Sequence, residues 1–281
     1  RHKYHKRPNV DLKYPDVKIH IHLQKEWLTV SIDSSGDSLH KRGYRTATNI
    51  APINEVLAAG MVLLSGYTGE ENFIDPMCGS GTILIEAAMI ANNIPANINR
   101  KLFAFEKWKD YDEDLYFKIQ ESLLKKIRSS HFKIMGFDKA PSAVEKAIAN
   151  VENANLDEFI GVHHVNFFNS KKEVFGNTTI LFNPPYGERL NIDVEEFYKK
   201  IGDTLKNNYS GSTAWLITSD TDALKAVGLR TSKRIALKNA DLDCKFVKYD
   251  LYEGTRKFKE RKVETDTEPN TKAIADTDFE E

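Results

Sequence analysis

The stretch Phe73-Ile74-Asp75-Pro76-Met77-Cys78-Gly79-Ser80-Gly81-Thr82 decides the fold. A short apolar run ends in an acid, crosses a glycine-rich turn and enters the Ala-rich segment 82–92, which has helical spacing. A strand that turns over glycines into a helix opens a doubly wound sheet. In such sheets ligands bind at the carboxyl ends of the strands, near the point where strand order reverses. Gly79 and Gly81 remove Cβ atoms where backbone must approach a ligand. The turn lacks the Lys-Ser/Thr pair of a triphosphate loop. Position 84 is Leu, which excludes the Gly-x-Gly-x-x-Gly dinucleotide fingerprint.

Downstream, strands and helices alternate. Strands are expected at 133–137, 161–165, 178–182 and 213–218, and helices at 114–128, 142–154, 194–207 and 220–227. A helix at 53–64 precedes the first strand, and 95–112, with its Pro, aromatics and charges, reads as an insertion whose Phe103, Phe105 and Trp108 pack together. This alternation predicts an α/β fold with a mostly parallel sheet covered on both faces. Segments 234–237 and 245–251 read as a closing antiparallel hairpin. Upstream, 17–23 (VKIHIHL) and 27–32 (WLTVSI) alternate strictly around Lys25-Glu26, which predicts a separate hairpin, and 34–38 (SSGDS) marks a boundary.

Two further strand ends carry chemistry. Gly136-Phe137-Asp138-Lys139-Ala140 puts an acid where it can accept hydrogen bonds from both hydroxyls of a ribose; the alternative is a helix cap ahead of Pro141. After the next strand, Asn166 and Phe167 could meet a purine by hydrogen bonding and ring packing, or be ordinary loop and core residues. The sharpest feature is Leu181-Phe182-Asn183-Pro184-Pro185-Tyr186-Gly187, at the end of the fourth strand. An amino group conjugated to a ring is a poor nucleophile, because its lone pair is delocalised. The Asn183 side-chain oxygen and a carbonyl such as that of Pro184 could hold its hydrogens and stabilise positive charge on the nitrogen. The two prolines stiffen the turn, and Tyr186 offers a face for a base taken out of its stack. The structural alternative is a proline turn.

Composition narrows the classes. The 281 residues are 41% hydrophobic and 10% aromatic, enough for a sizeable core, and no apolar run approaches the roughly 20 residues of a membrane span. With no secretory pattern at the N-terminus, a cytoplasmic protein is expected. Cys78 and Cys244 are too few for a disulfide framework or a cysteine-rich zinc site. His20 and His22 share a strand face with no third ligand nearby, and His163 and His164 point oppositely, so no metal site is expected. The net charge of -1 hides an uneven distribution. Residues 1–45 hold ten Lys/Arg against five Asp/Glu, and 260–281 hold three against eight. A basic N-terminal segment could meet phosphate, with Lys41, Arg42 and Arg45 as its candidates, while the acidic tail is expected to be disordered.

DPMCGSGT (75–82), Asp138 and NPPYGER (183–189) resemble the THUMP-containing bacterial RNA methyltransferases, in particular the 23S rRNA guanine-N2-methyltransferases. SLHKRGYR (38–45) and APINE (51–55) resemble that family's linker and first methyltransferase helix. The resemblance covers roughly residues 15–255. It implies a Rossmann-like domain that uses S-adenosylmethionine as methyl donor. Asp75, Pro76, Cys78, Gly79, Ser80, Gly81 and Thr82 would surround its methionine part, and Asp138, with Lys139 beside it, would hold its ribose. Asn166 and Phe167 would lie at the adenine, although the family often carries an acid where this chain has Asn166. Asn183, Pro184, Pro185 and Tyr186 would form the target-amine site. It further implies a ribosomal RNA substrate and no membrane. The expected division is a THUMP remnant and linker at 1–45, a methyltransferase domain at 46–259 and a tail at 260–281. Only the last THUMP hairpin is recognisable, so the rest of that domain is expected outside this sequence and would share RNA contact with the basic segment. A DNA adenine-N6 or protein glutamine methyltransferase would use the same Asn-Pro-Pro-Tyr chemistry.

Overall fold

In the computed structural model, residues 9–46, 52–185 and 193–252 are described. Tyr186 and the remainder of the NPPYGER motif, the first residues of the basic segment and the acidic tail lie outside them.

Strands β1 (Ile19–Gln24) and β2 (Trp27–Ile32) form a two-stranded antiparallel sheet, with Ile21 opposite Val30. The intervening turn takes Lys25 to φ 56°. Both strands are exposed throughout.

Helix α1 (Glu55–Ser65) starts two residues later than its apolar spacing suggests. Asn54 caps it, its side chain accepting the N–H groups of Val56 and Leu57, and Gly66 ends it in the left-handed conformation at φ 87°. There follow β3 (Asn72–Asp75), α2 (Thr82–Ala91), α3 (Glu113–Leu124), β4 (Ile134–Asp138), α4 (Pro141–Asn153) and β5 (Ile160–His164). The chain continues through β6 (Thr178–Phe182), α5 (Val194–Asn208), β7 (Thr213–Thr218), α6 (Ala223–Ala226), β8 (Lys233–Asn239) and β9 (Leu242–Asp250). Helix α3 stops short of the expected residue 128, because Lys126 and Ile127 close three-residue turns onto Leu123 and Leu124.

Seven strands form one sheet in the order β5-β4-β3-β6-β7-β9-β8. Neighbours from β5 to β7 pair parallel, and β9 pairs antiparallel with β7 and β8. The expected closing hairpin is therefore present, though longer than 234–237 and 245–251. The order reverses at β3: one connection runs outward to β4 and β5, and the next strand, β6, returns to β3's other side. That reversal opens a crevice between the ends of β3 and β6.

Period-two alternation persists even where both faces are apolar. Phe73, Leu181, Trp215 and Ile217 join α1, α2 and α4 in one core layer; Ile74, Ile180, Phe182 and Leu216 join α5 and α6 in the other. Phe103 and Phe105 stack at 5.3 Å, as expected of insertion packing, and the Phe105 N–H donates to the Ser34 carbonyl. Helix α3 buries none of its residues.

Candidate active site

The reversal of strand order opens a cavity of about 300 Å³ at the carboxyl ends of β3, β4 and β6. Asp75, Pro76, Cys78, Gly79, Ser80 and Thr82 line it from the first turn, Asp138 and Lys139 from the second. Asn166 and Phe167 reach it after β5, and Asn183, Pro184 and Pro185 after β6. Four separate stretches of sequence thus meet in one crevice.

The first turn is held by its own backbone. Cys78 N–H donates to the Phe137 carbonyl at 2.9 Å and Gly81 N–H to that of Cys78 at 2.8 Å. Gly79 and Gly81 take φ of 55° and 83°, in the left-handed region that disfavours a side chain. Gly81 does not line the cavity. Its Cα faces α4, where an added Cβ would come within 3.3 Å of Ala147.

Asp138 ties the two turns together: Oδ2 accepts from Gly79 N–H at 3.0 Å and Oδ1 from Ala140 N–H at 2.9 Å. The local cap-like contact to Ala140 is real, but the cap position of α4 itself belongs to Ala140. Each carboxylate oxygen retains acceptor capacity towards the cavity. Asp75 is 1% exposed; Oδ1 accepts from Met77 N–H, and Oδ2 has no partner. Burial pushes its carboxyl well above the usual carboxylate range, and the charge of Asp138 adds to this, against the hydrogen bond from Met77. Burial also pushes the Cys78 thiol well up, and the charges of Asp75 and Asp138 add to this.

Beyond β5, the Asn166 side-chain oxygen accepts from Phe168 N–H, leaving the amide nitrogen as its free donor group. Phe167 is 2% exposed and packs against Phe182 and Tyr209. The half-buried Phe168 also lines the cavity and meets Phe197 edge-on, with ring centroids 5.4 Å apart and planes at 88°. After β6, the Asn183 side-chain oxygen is buried without a hydrogen-bond partner among the described residues.

Sequence reasoning missed Pro52, Ile53, Met77, Ile83, Phe168 and Phe197 as lining residues. Met77 and Phe168 adjoin residues singled out, so adjacency was an available signal. Phe197 had none beyond an apolar position on a helix. The basic linker also differs from expectation. Arg42 Nε lies 3.2 Å from Glu86 Oε1, with side chains 7% and 1% exposed, and Arg45 Nε lies 3.0 Å from Glu55 Oε1, at 15% and 7%. Both residues are half-buried, with their guanidiniums in ion pairs rather than presented to phosphate, because α1 and α2 each carry an acid under the linker. Lys41 remains exposed, 3.6 Å from Asp37.

The family model of the RMKL-like methyltransferase domain matches residues 42–248. The chain belongs to this family. A domain of this family uses S-adenosylmethionine as its methyl donor. The orphaned Asp75 oxygen and the acceptor capacity of Asp138, beside the left-handed Gly79, are an acceptor set suited to a polar ligand with ammonium and hydroxyl groups. A THUMP model matches residues 1–33, which include the exposed hairpin. A Synechocystis protein named as a candidate RNA methyltransferase is 34% identical over 255 residues, 90% of this chain and 66% of that protein. Ribosomal RNA large subunit methyltransferase K/L of Photobacterium profundum is 36% identical over 266 residues, 92% of this chain and 37% of that protein. SMU.472, solved in complex with SAH, superposes with a TM-score of 0.78 at 35% identity, over 85% of this chain and 63% of that one. The chain thus spans under two thirds of the length of each. Among the described residues, no group of His, Cys, Asp and Glu could hold a metal ion, and no helix is long and apolar enough to cross a membrane.

Proposed function

We propose that this RMKL-like domain methylates the exocyclic N2 of a guanine in large-subunit ribosomal RNA, within a chain divided into a THUMP remnant with linker, a methyltransferase domain and a tail. The observation that carries the reading is the Asn183 side-chain oxygen, which lines the crevice and is buried with no partner among the described residues. A buried acceptor without a partner costs about 1–3 kcal/mol, and because this one lines the crevice it supports a donor that arrives with the substrate. The names of the RNA-methylating relatives supply the substrate class.

S-adenosylmethionine supplies the electrophilic methyl group. Asp75, Ser80 and the Gly79 turn would hold its methionine part, Asp138 its ribose, and Asn166 with Phe168 and Phe167 its adenine. Asn183 Oδ1 and the Pro184 carbonyl would accept the two N–H groups of the target amine. That fixes the nitrogen towards the crevice and favours it as it gains positive charge. Neither acceptor is a base, so the surplus proton passes to water. Pro184 and Pro185 hold the turn stiff, and Tyr186 would stack the extruded base.

Nucleoside mass spectrometry tests this directly. RNA from large subunits lacking the enzyme, incubated with the full-length protein and S-adenosylmethionine, should gain N2-methylguanosine. A gain of N6-methyladenosine instead, or no gain on RNA with methylation of DNA or of a protein amide, would replace the proposed substrate.

A further inference from the structure

The linker segment that follows the hairpin does more than connect. Its segment 42–46 is stitched to the helix that leaves the glycine turn and to the segment that enters α1. Arg45 Nη2 donates to the Ile53 carbonyl at 3.0 Å and to Thr82 Oγ1 at 2.9 Å. Ile53 and Thr82 both line the cavity, whereas Arg45 does not. Arg45 Nε meets the buried Glu55 as an ion-pair contact rather than an aligned hydrogen bond. One residue further, the Thr46 N–H donates to Asn150 Oδ1 at 3.1 Å, and Asn150 Nδ2 donates to the Ser80 carbonyl at 3.0 Å. Asn150 is 1% exposed, and Ser80 is a third cavity residue.

A second attachment lies alongside and avoids the cavity. Arg42 Nε and Nη2 donate to the two Glu86 oxygens at 3.2 and 3.3 Å, and the Tyr44 hydroxyl donates to Glu86 Oε1 at 3.3 Å. Glu86 sits a full turn further along α2 and lines no part of the crevice. The linker therefore has one anchor for its own placement and another that ends on the cofactor wall.

The helix dipole sharpens the distinction. Thr82 is the first residue of α2, where a nearby cation opposes the positive end of the helix. Gly81 at the cap position supplies no side-chain cap. A guanidinium here is tolerated because Glu55 neutralises it, and its position bridges two wall segments 29 residues apart in sequence, at 53 and 82.

We infer that Arg45 is a positioning residue for S-adenosylmethionine: it clamps Ile53 to Thr82, so the linker and the cofactor crevice form one coupled unit. This rests on the crevice being the cofactor site. Release of the linker loosens the wall and weakens cofactor binding without touching the ligand.

The experiment is calorimetric titration of the full chain with S-adenosylhomocysteine, with Tm recorded for each protein. Arg45→Met combined with Glu55→Gln removes the clamp without leaving a buried charge unpaired, and should weaken binding about tenfold. Arg45→Lys, which can reach one of the two acceptors, should recover part of the loss. Arg42→Met combined with Glu86→Gln loosens the other anchor; it should lower Tm and leave affinity within about twofold. A folded Arg45→Met/Glu55→Gln protein with normal affinity overturns the inference. So does an equal loss in the Arg42→Met/Glu86→Gln protein, which would mean general loosening. Absence of binding by the wild-type chain overturns the cofactor reading itself, and the inference with it.

Discussion

The β1–β2 hairpin and strand β6 are built from similar material and meet opposite fates. Ile19, Ile21, Leu23, Trp27 and Val30 lie between 61% and 80% exposed, whereas all five residues of β6 are buried. Both pieces have strong strand formers and complete ladders. Pairing alone therefore does not bury a side chain. Burial comes from layers: β6 has helices on both faces and strands on both sides, while among the described residues each hairpin strand has one paired neighbour and stays exposed. The side chains assigned to binding and methyl transfer lie at or just beyond the ends of the central strands.

Three measurements would break or sharpen that contrast. The largest effect belongs to Phe182→Ala. Phe182 is fully buried against Phe167, so truncation should cost about 3–5 kcal/mol in denaturant unfolding. A loss under about 1 kcal/mol would mean that β6 is not the packed strand described. Next comes Asn183→Ala, one residue beyond. The proposed contact tightens as the amine gains charge, so kcat should drop about a hundredfold while S-adenosylhomocysteine affinity stays near normal. A single-turnover rate close to wild type would remove Asn183 from the chemistry. The smallest effect is expected of Trp27→Ala. At 80% exposure it should change stability by no more than about 0.5 kcal/mol. A cost above about 1 kcal/mol would show that the hairpin is covered in solution.

Much of the site was legible because each motif sits at a strand end. Asp75, Asp138, Asn166 and Asn183 follow short apolar runs, and parallel strands bring all such ends to one edge. Phe197 was not legible, since an apolar residue on a helix reads the same whether it faces core or cavity; Ile53 reads as the start of a helix but precedes α1. The linker misled for a related reason. HKRGYR carries the charge pattern of a phosphate-binding segment, and Arg42 and Arg45 find their partners 44 and 10 residues away, in Glu86 and Glu55.

By itself the sequence determined the alternation of strands and helices, the glycine turn after β3, the acid after β4 and the stiff Asn-Pro-Pro turn after β6. These depend on neighbours within a few residues: side-chain period, left-handed glycine conformations and the fixed φ of proline. Only the tertiary structure decided which face each apolar strand residue buries, which phenylalanines meet the cavity and which cations are neutralised. Those outcomes depend on contacts between residues tens of positions apart. They are set by packing and by burial of charge, for which a one-dimensional pattern carries no signal.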